Sequence, residues 1–162
     1  MSMHPTLRFR IAEKQDCETI LKFIKELARY EKLEDEVVAT VEILEDWLFE
    51  KMSAEVMFAV IDGKEVGFAL YFSNFSTFLG KAGLYIEDIY VREEFRGQGI
   101  GTAMMKYFAQ MADECGFGRV EWACLDWNTD SIEFYESLGA VGMDGWTTFR
   151  LSGDAIKAFA NR

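Results

Sequence analysis

Histidine and proline are nearly absent: the chain has one of each, His4 and Pro5. A lone histidine beside the N-terminus leaves no Ser–His or Cys–His pair for nucleophilic catalysis, so Cys124 is a poor candidate nucleophile. A lone proline gives no proline-rich linker. Cysteine is sparse, and Cys17, Cys115 and Cys124 are not spaced as metal ligands. An odd count without a secretory signal points to reduced thiols, with Cys115 and Cys124 expected in the core. Met1–Arg10 holds no apolar h-region, so no signal peptide is expected. No apolar run reaches the roughly 18 residues needed to cross a membrane. These absences point to a cytoplasmic chain with no metal site and no membrane partner.

Basic charge is also short. Against 28 Asp and Glu stand 17 Lys and Arg, a net charge of −11. Such a surface repels nucleic acid and attracts cations. Acidic charge also keeps proteins soluble, so it becomes informative only where carboxylates gather around a site.

What remains is a chain of 162 residues, half of them hydrophobic, without repeats or linkers. That is one domain, 1–162. Strand and helix patterns alternate, which favours an α/β or α+β class. Strands are expected at Leu7–Ile11, Val56–Ile61, Glu65–Ser73, Gly83–Val91, Arg119–Leu125 and Trp146–Leu151. Asp62-Gly63 is a two-residue hairpin turn. Helices are expected at Glu13–Arg29, at Val41–Lys51 behind a Thr40 N-cap, at Gly99–Cys115, at Asn128–Leu138 capped by Asn128, and at Gly153–Ala160.

The chemistry concentrates in Tyr85–Thr102, YIEDIYVREEFRGQGIGT. A β-rich run ends at Val91, and Arg96-Gly97-Gln98-Gly99-Ile100-Gly101 then enters an amphipathic helix. Glycines at a helix entrance allow close approach of a ligand to the backbone. The unpaired N–H groups of the first turn suit a pyrophosphate, and Arg96 adds a fixed positive charge. The glycine spacing fits neither the dinucleotide fingerprint nor the nucleotide-triphosphate loop.

Arg96-x-x-Gly99-x-Gly101 resembles the signature of the GNAT superfamily of N-acetyltransferases. Asn128-Thr129-Asp130-Ser131-Ile132-Glu133-Phe134-Tyr135 through Gly139 is similar to that family's second cofactor motif. Ile24–Glu31, Tyr85–Asp88 and Asp144-Gly145-Trp146 look most like the spermidine/spermine (diamine) and thialysine N-acetyltransferases. The resemblance implies an α+β fold in α/β/α-type layers, with a central mixed, largely antiparallel, splayed sheet flanked by helices. It also implies acetyl-CoA as co-substrate and a homodimer. Ile89, Tyr90 and Val91 would meet the pantetheine arm. Arg96, Gly97, Gln98, Gly99, Ile100, Gly101 and Thr102 would hold the pyrophosphate. Asn128, Thr129, Asp130 and Ser131 would line the cofactor as well.

A primary alkylamine is mostly protonated at neutral pH and needs a base before it attacks a thioester. The resemblance gives that role to Glu87, directly or through one water. The residues alone leave open an outward-facing glutamate, because strand side chains alternate. Tyr135 would protonate the departing CoA thiolate; its alternative is a core aromatic sharing a helix face with Ile132 and Leu138. Tyr30, Glu31, Glu87 and Asp144 would meet the amine. Glu121, Trp122 and Ala123 stand in the substrate-lining strand but differ from the subfamily's usual residues there. The expected activity is acetyl transfer to a small di- or polyamine. The alternatives are a thialysine-like, lysine-like or aminoglycoside acceptor, protein N-termini, or an acyl-CoA-binding protein without catalysis.

Overall fold

Leu7–Ile11 forms β1 of a five-stranded sheet in the computed structural model, which describes residues 6–162. His4 and Pro5 lie outside the described residues. Chain contacts divide the protein into two units, Met1–Ala123 and Cys124–Arg162. The first holds the sheet in the order β1–β5, with β2 at Glu55–Ile61, β3 at Lys64–Ser76, β4 at Lys81–Val91 and β5 at Val120–Trp122. Neighbours among β1–β4 are antiparallel, and β5 runs parallel to β4. The sheet is therefore mixed and largely antiparallel, and the class is α+β, as expected.

The β2–β3 hairpin follows from its turn. Asp62 and Gly63 take positive φ, 50° and 77°, as a two-residue turn matched to strand twist requires. Along β2, Val56 and Phe58 pack toward helix α1, Cys17–Tyr30. In that helix Cys17, Ile20, Phe23 and Leu27 recur at helical spacing and are buried. Phe23 stacks on Phe68 with centroids 5.2 Å apart. On the other face, Tyr71 meets Phe108 of α3, Ile100–Cys115, edge-on at 4.9 Å. Two apolar faces on one sheet demand helices on both sides, which gives the layered arrangement.

Arg10 binds both Asp16, at 2.8 Å, and Glu65, at 2.8 Å, and so ties β1, the start of α1 and β3 together. Thr40 Oγ1 accepts the Ile43 N–H at 3.2 Å, the cap expected for the second helix. That helix is α-helical only over Val41–Leu44 (α2), and its turns widen to π geometry over Glu45–Glu50.

In the second unit, Asn128 Oδ1 accepts the Ser131 N–H at 3.3 Å and caps α4, Thr129–Ser137. Two expectations need correction. Trp146–Leu151 forms no strand, and Phe149 is 91% exposed. An alternating sequence becomes a strand only when a neighbour supplies its hydrogen bonds. Cys115, in the last turn of α3, is exposed and Cys124 is half-buried; Cys17 is the buried cysteine. All three cysteines are free thiols. Helix α5, Asp154–Ala160, closes the chain. Among the described residues no helix is long and apolar enough to cross a membrane.

Candidate active site

Strand β4 carries the site, and its local irregularity explains how. Pairing with β5 ends at Ile86↔Trp122, while β4 runs on to Val91. From Glu87 onward β4 has no strand partner on that side among the described residues. On the other side, Tyr71 faces Ile86 and the next residue, Leu70, faces Asp88. Glu87 is the extra residue of a β-bulge. Ile86 is buried, Glu87 exposed and Asp88 half-buried, so Asp88 shares the inward face of Ile86, as strand alternation gives.

That inward position changes the chemistry of Asp88. Burial, then the negative charges of Glu87 and Glu31, push its carboxyl up to about 7. Glu31, the residue that ends α1, is itself pushed up by burial. A carboxylate at a helix C-terminus meets the negative end of the helix dipole. Local rules disfavour it there, which is common where a group serves a site. Burial, Glu87 and Glu121 push the Tyr85 phenol up as well. The bulge therefore gathers three carboxyl groups, from Glu31, Glu87 and Asp88, into one electronegative region.

The other end of β4 is cationic. Arg92 Nε donates to both Glu26 oxygens at 3.2 Å, its Nη1 donates to the Glu65 carbonyl at 2.9 Å, and its guanidinium covers the Phe23 ring at 4.4 Å. These contacts anchor the strand end to α1. Arg96 Nε donates to the Val91 carbonyl at 2.9 Å, and its guanidinium lies 4.6 Å from the Tyr30 ring centroid and 5.3 Å from that of Tyr90. Gly97 and Gly99 take φ of 76° and 80°, the left-handed region. Gly99 then opens α3 with no side chain capping the helix. The first-turn N–H groups of a helix have no intrahelical acceptor. Backbone N–H groups of this kind, with a cation such as Arg96 beside them, can hold a polyanion.

The other residues singled out from the sequence fall as follows. Ile89, Tyr90 and Val91 lie on the stretch of β4 beyond its last pairing with β5. Gln98 is exposed, Gly101 and Thr102 are half-buried, and the Ile100 side chain is in the core, so only its backbone faces the loop. Glu121 is engaged by Asn74 Nδ2 at 3.2 Å and Arg119 Nε at 3.0 Å. Trp122 is half-buried and Ala123 exposed. In the second unit, Thr129 and Asp130 are exposed, Ser131 and Tyr135 half-buried, and Asp144 exposed. Cys124 Sγ lies 3.6 Å from the Leu125 carbonyl.

One feature escapes a reading of the sequence. Two adjacent carboxylates in an apolar strand already require one to face inward, and alternation with Ile86 makes it Asp88. The Arg96 contact with Tyr30, by contrast, joins residues far apart in the chain, and no spacing announces it.

The model of the Acetyltransferase (GNAT) family matches residues 15–140. A thialysine N-epsilon-acetyltransferase of Sus scrofa is 38% identical over 165 residues, covering 94% of this chain and 96% of the relative. A spermidine/spermine N(1)-acetyltransferase-like protein 1 of Homo sapiens is 32% identical over 160 residues, 92% of this chain and 23% of the relative. Among solved structures, an integron cassette protein from the mobile metagenome of V. cholerae superposes with a TM-score of 0.81 at 26% identity, over 98% of this chain and 100% of that one.

Proposed function

Because this chain belongs to the acetyltransferase (GNAT) family and is an N-acetyltransferase acting on amines, we propose that it transfers acetyl from acetyl-CoA to a primary amine of a small di- or polyamine. The observation that carries this reading is the gathering of Glu31, Glu87 and Asp88 at the β4 bulge. Adjacent carboxyl groups attract an acceptor with more than one ammonium group. The loop Arg96–Thr102 fits the co-substrate: it combines left-handed glycines, an uncapped helix start and a cation. We read the whole chain as one acetyltransferase domain.

Bound acetyl-CoA supplies an acetyl group activated as a thioester. The chain's own residues then manage charge and protons. Glu31 and Asp88 hold the acceptor's ammonium groups. Glu87, exposed at the bulge, takes the proton of the attacking nitrogen at its carboxylate, directly or through one water. The backbone N–H near Ile89 polarises the acetyl carbonyl. Tyr135, matched to the second motif, gives its phenolic proton to the CoA sulfur. Asn128 and Ser131 flank the cofactor in this reading, and Asp144 adds charge at the amine end. No enzyme-bound acetyl group is needed.

The relative named for thialysine favours a second reading, a lysine-like amino acid as acceptor. Turnover with a panel of diamines, polyamines, thialysine, lysine and an aminoglycoside, followed by release of free CoA thiol, decides between them. The proposal expects the highest kcat/KM with a di- or polyamine. Thialysine far ahead of every diamine selects the second reading, and no thiol release with any amine leaves acyl-CoA binding without catalysis. We further propose a cytoplasmic location and a homodimer; the apolar surface at the β3–β4 turn, where Phe78 is 97% exposed, supports the dimer.

A further inference from the structure

Tyr30 and Glu31 are adjacent at the end of α1, yet they serve different neighbours. Glu31 adds its charge to the Asp88 end of the site. The Tyr30 ring lies instead against the guanidinium of Arg96, 4.6 Å from centroid to Cζ, and Tyr90 supplies a second ring at 5.3 Å. Phe23 lies 6.3 Å from Tyr90 at 72°, and Arg92 covers Phe23 at 4.4 Å. Cations and rings thus form one connected row, Arg92–Phe23–Tyr90–Arg96–Tyr30, from the anchored end of β4 to the glycine loop.

This arrangement constrains Arg96 in two ways. Its Nε is committed to the Val91 carbonyl at 2.9 Å, which fixes one edge of the planar group. Two aromatic rings attract its cation through their faces. The Nη1 and Nη2 edge is thereby oriented for paired hydrogen bonds to phosphate oxygens. An exposed arginine without such supports must lose more side-chain freedom when it binds an anion, and its affinity falls accordingly.

We propose that Tyr30 is a positioning residue for the co-substrate: its ring, with that of Tyr90, holds the Arg96 guanidinium in place for the pyrophosphate of acetyl-CoA. Tyr30 therefore contributes at the cofactor end of the site. This inference rests on the reading of Arg96–Thr102 as the pyrophosphate loop.

Calorimetric titration of acetyl-CoA into wild type, Tyr30→Leu and Tyr30→Phe tests it, alongside the Arg96 Nε–Hε resonance in the ligand-free protein, assigned by its loss in Arg96→Lys. Tyr30→Leu removes the ring; the acetyl-CoA Kd should rise roughly two- to fivefold. Tyr30→Phe keeps the ring and should restore the Kd to within error. The Arg96 resonance should move in the Leu variant and stay in the Phe variant. In an Arg96→Lys background, the effect of Tyr30→Leu on Kd should shrink toward none, because the two residues act as a unit. Unchanged acetyl-CoA affinity in Tyr30→Leu, a Phe variant as impaired as the Leu variant, or full additivity with Arg96→Lys would each overturn the proposal. A wild-type protein that binds no acetyl-CoA overturns the loop reading itself; that failure is distinct, because the Arg96 resonance would still respond to Tyr30→Leu.

Discussion

The two ends of β4 differ in charge and in how their groups are held. At the Arg96 end, the guanidinium is fixed by a carbonyl and two rings, and the loop glycines have their backbone angles built in. At the Glu87 end, a bulge crowds Glu87 and Asp88 together near Glu31, and burial raises the Asp88 carboxyl to about 7. In the proposed reading the first end receives the anionic co-substrate, and the second holds an electrostatic tension that a cationic acceptor relieves.

The comparison is broken most severely at the reacting atoms. Glu87→Gln and Tyr135→Phe should each lower kcat by about 10²–10⁴-fold, the range of a positioned base or acid. Acetyl-CoA affinity by calorimetry and Tm should be unchanged in both. A Tyr135→Phe variant with lost stability and normal turnover per folded enzyme would instead mark a packing tyrosine.

Next is the rigid end. Gly99→Val places a branched side chain at φ 80°, a conformation costing about 1–2 kcal/mol. The acetyl-CoA Kd should rise roughly tenfold or more, with the amine KM at saturating acetyl-CoA unchanged. Equal effects on both substrates would erase the distinction between the two ends.

The tension at the other end has a pH signature. The folded Asp88 carboxyl titrates at about 7, above its ordinary 3.8. The stability this shift contributes is fully present below about pH 4 and is lost as pH rises through 7. Asp88→Asn lacks that loss. Its Tm relative to wild type should therefore be higher at pH 8 than at pH 5, by the equivalent of about 2–3 kcal/mol. The amine KM of the wild type should fall as pH rises through 7, as the carboxyl becomes an anion. A pH-independent Tm difference would mean that Asp88 carries no such strain.

The smallest effect expected is at Glu31. Glu31→Gln should raise the amine KM roughly two- to fivefold at low salt, from an interaction of ~0.5–1 kcal/mol. The difference should shrink at higher ionic strength, where screening shortens to under about 8 Å. Kinetics at two salt concentrations checks it.

Much of this was legible before any coordinates. Asp62-Gly63 announced the hairpin, Thr40 and Asn128 announced their caps, and the glycine loop announced the start of α3. Each is a contact within a few residues, so the local sequence contains all the partners. Arg119–Leu125 shortened to Val120–Trp122, and Trp146–Leu151 yielded no strand, because strand pairing depends on a distant segment. The π geometry in the second half of the Val41–Lys51 helix and the exposure of Cys115 were not legible either.

By itself, the sequence determined the class of the fold, the glycine loop with its arginine, and the family to which the chain belongs. These rest on short-range patterns: periodicity, turn residues and the spacing of motifs. Tertiary structure alone decided that Glu87 sits at a bulge, that Glu31 comes near enough to Asp88 to raise its carboxyl, and that the Tyr30 ring lies against the Arg96 guanidinium. Register between β3 and β4 and the docking of α1 bring those groups together, and a charge or a ring acts through distance in space, whatever its separation along the chain.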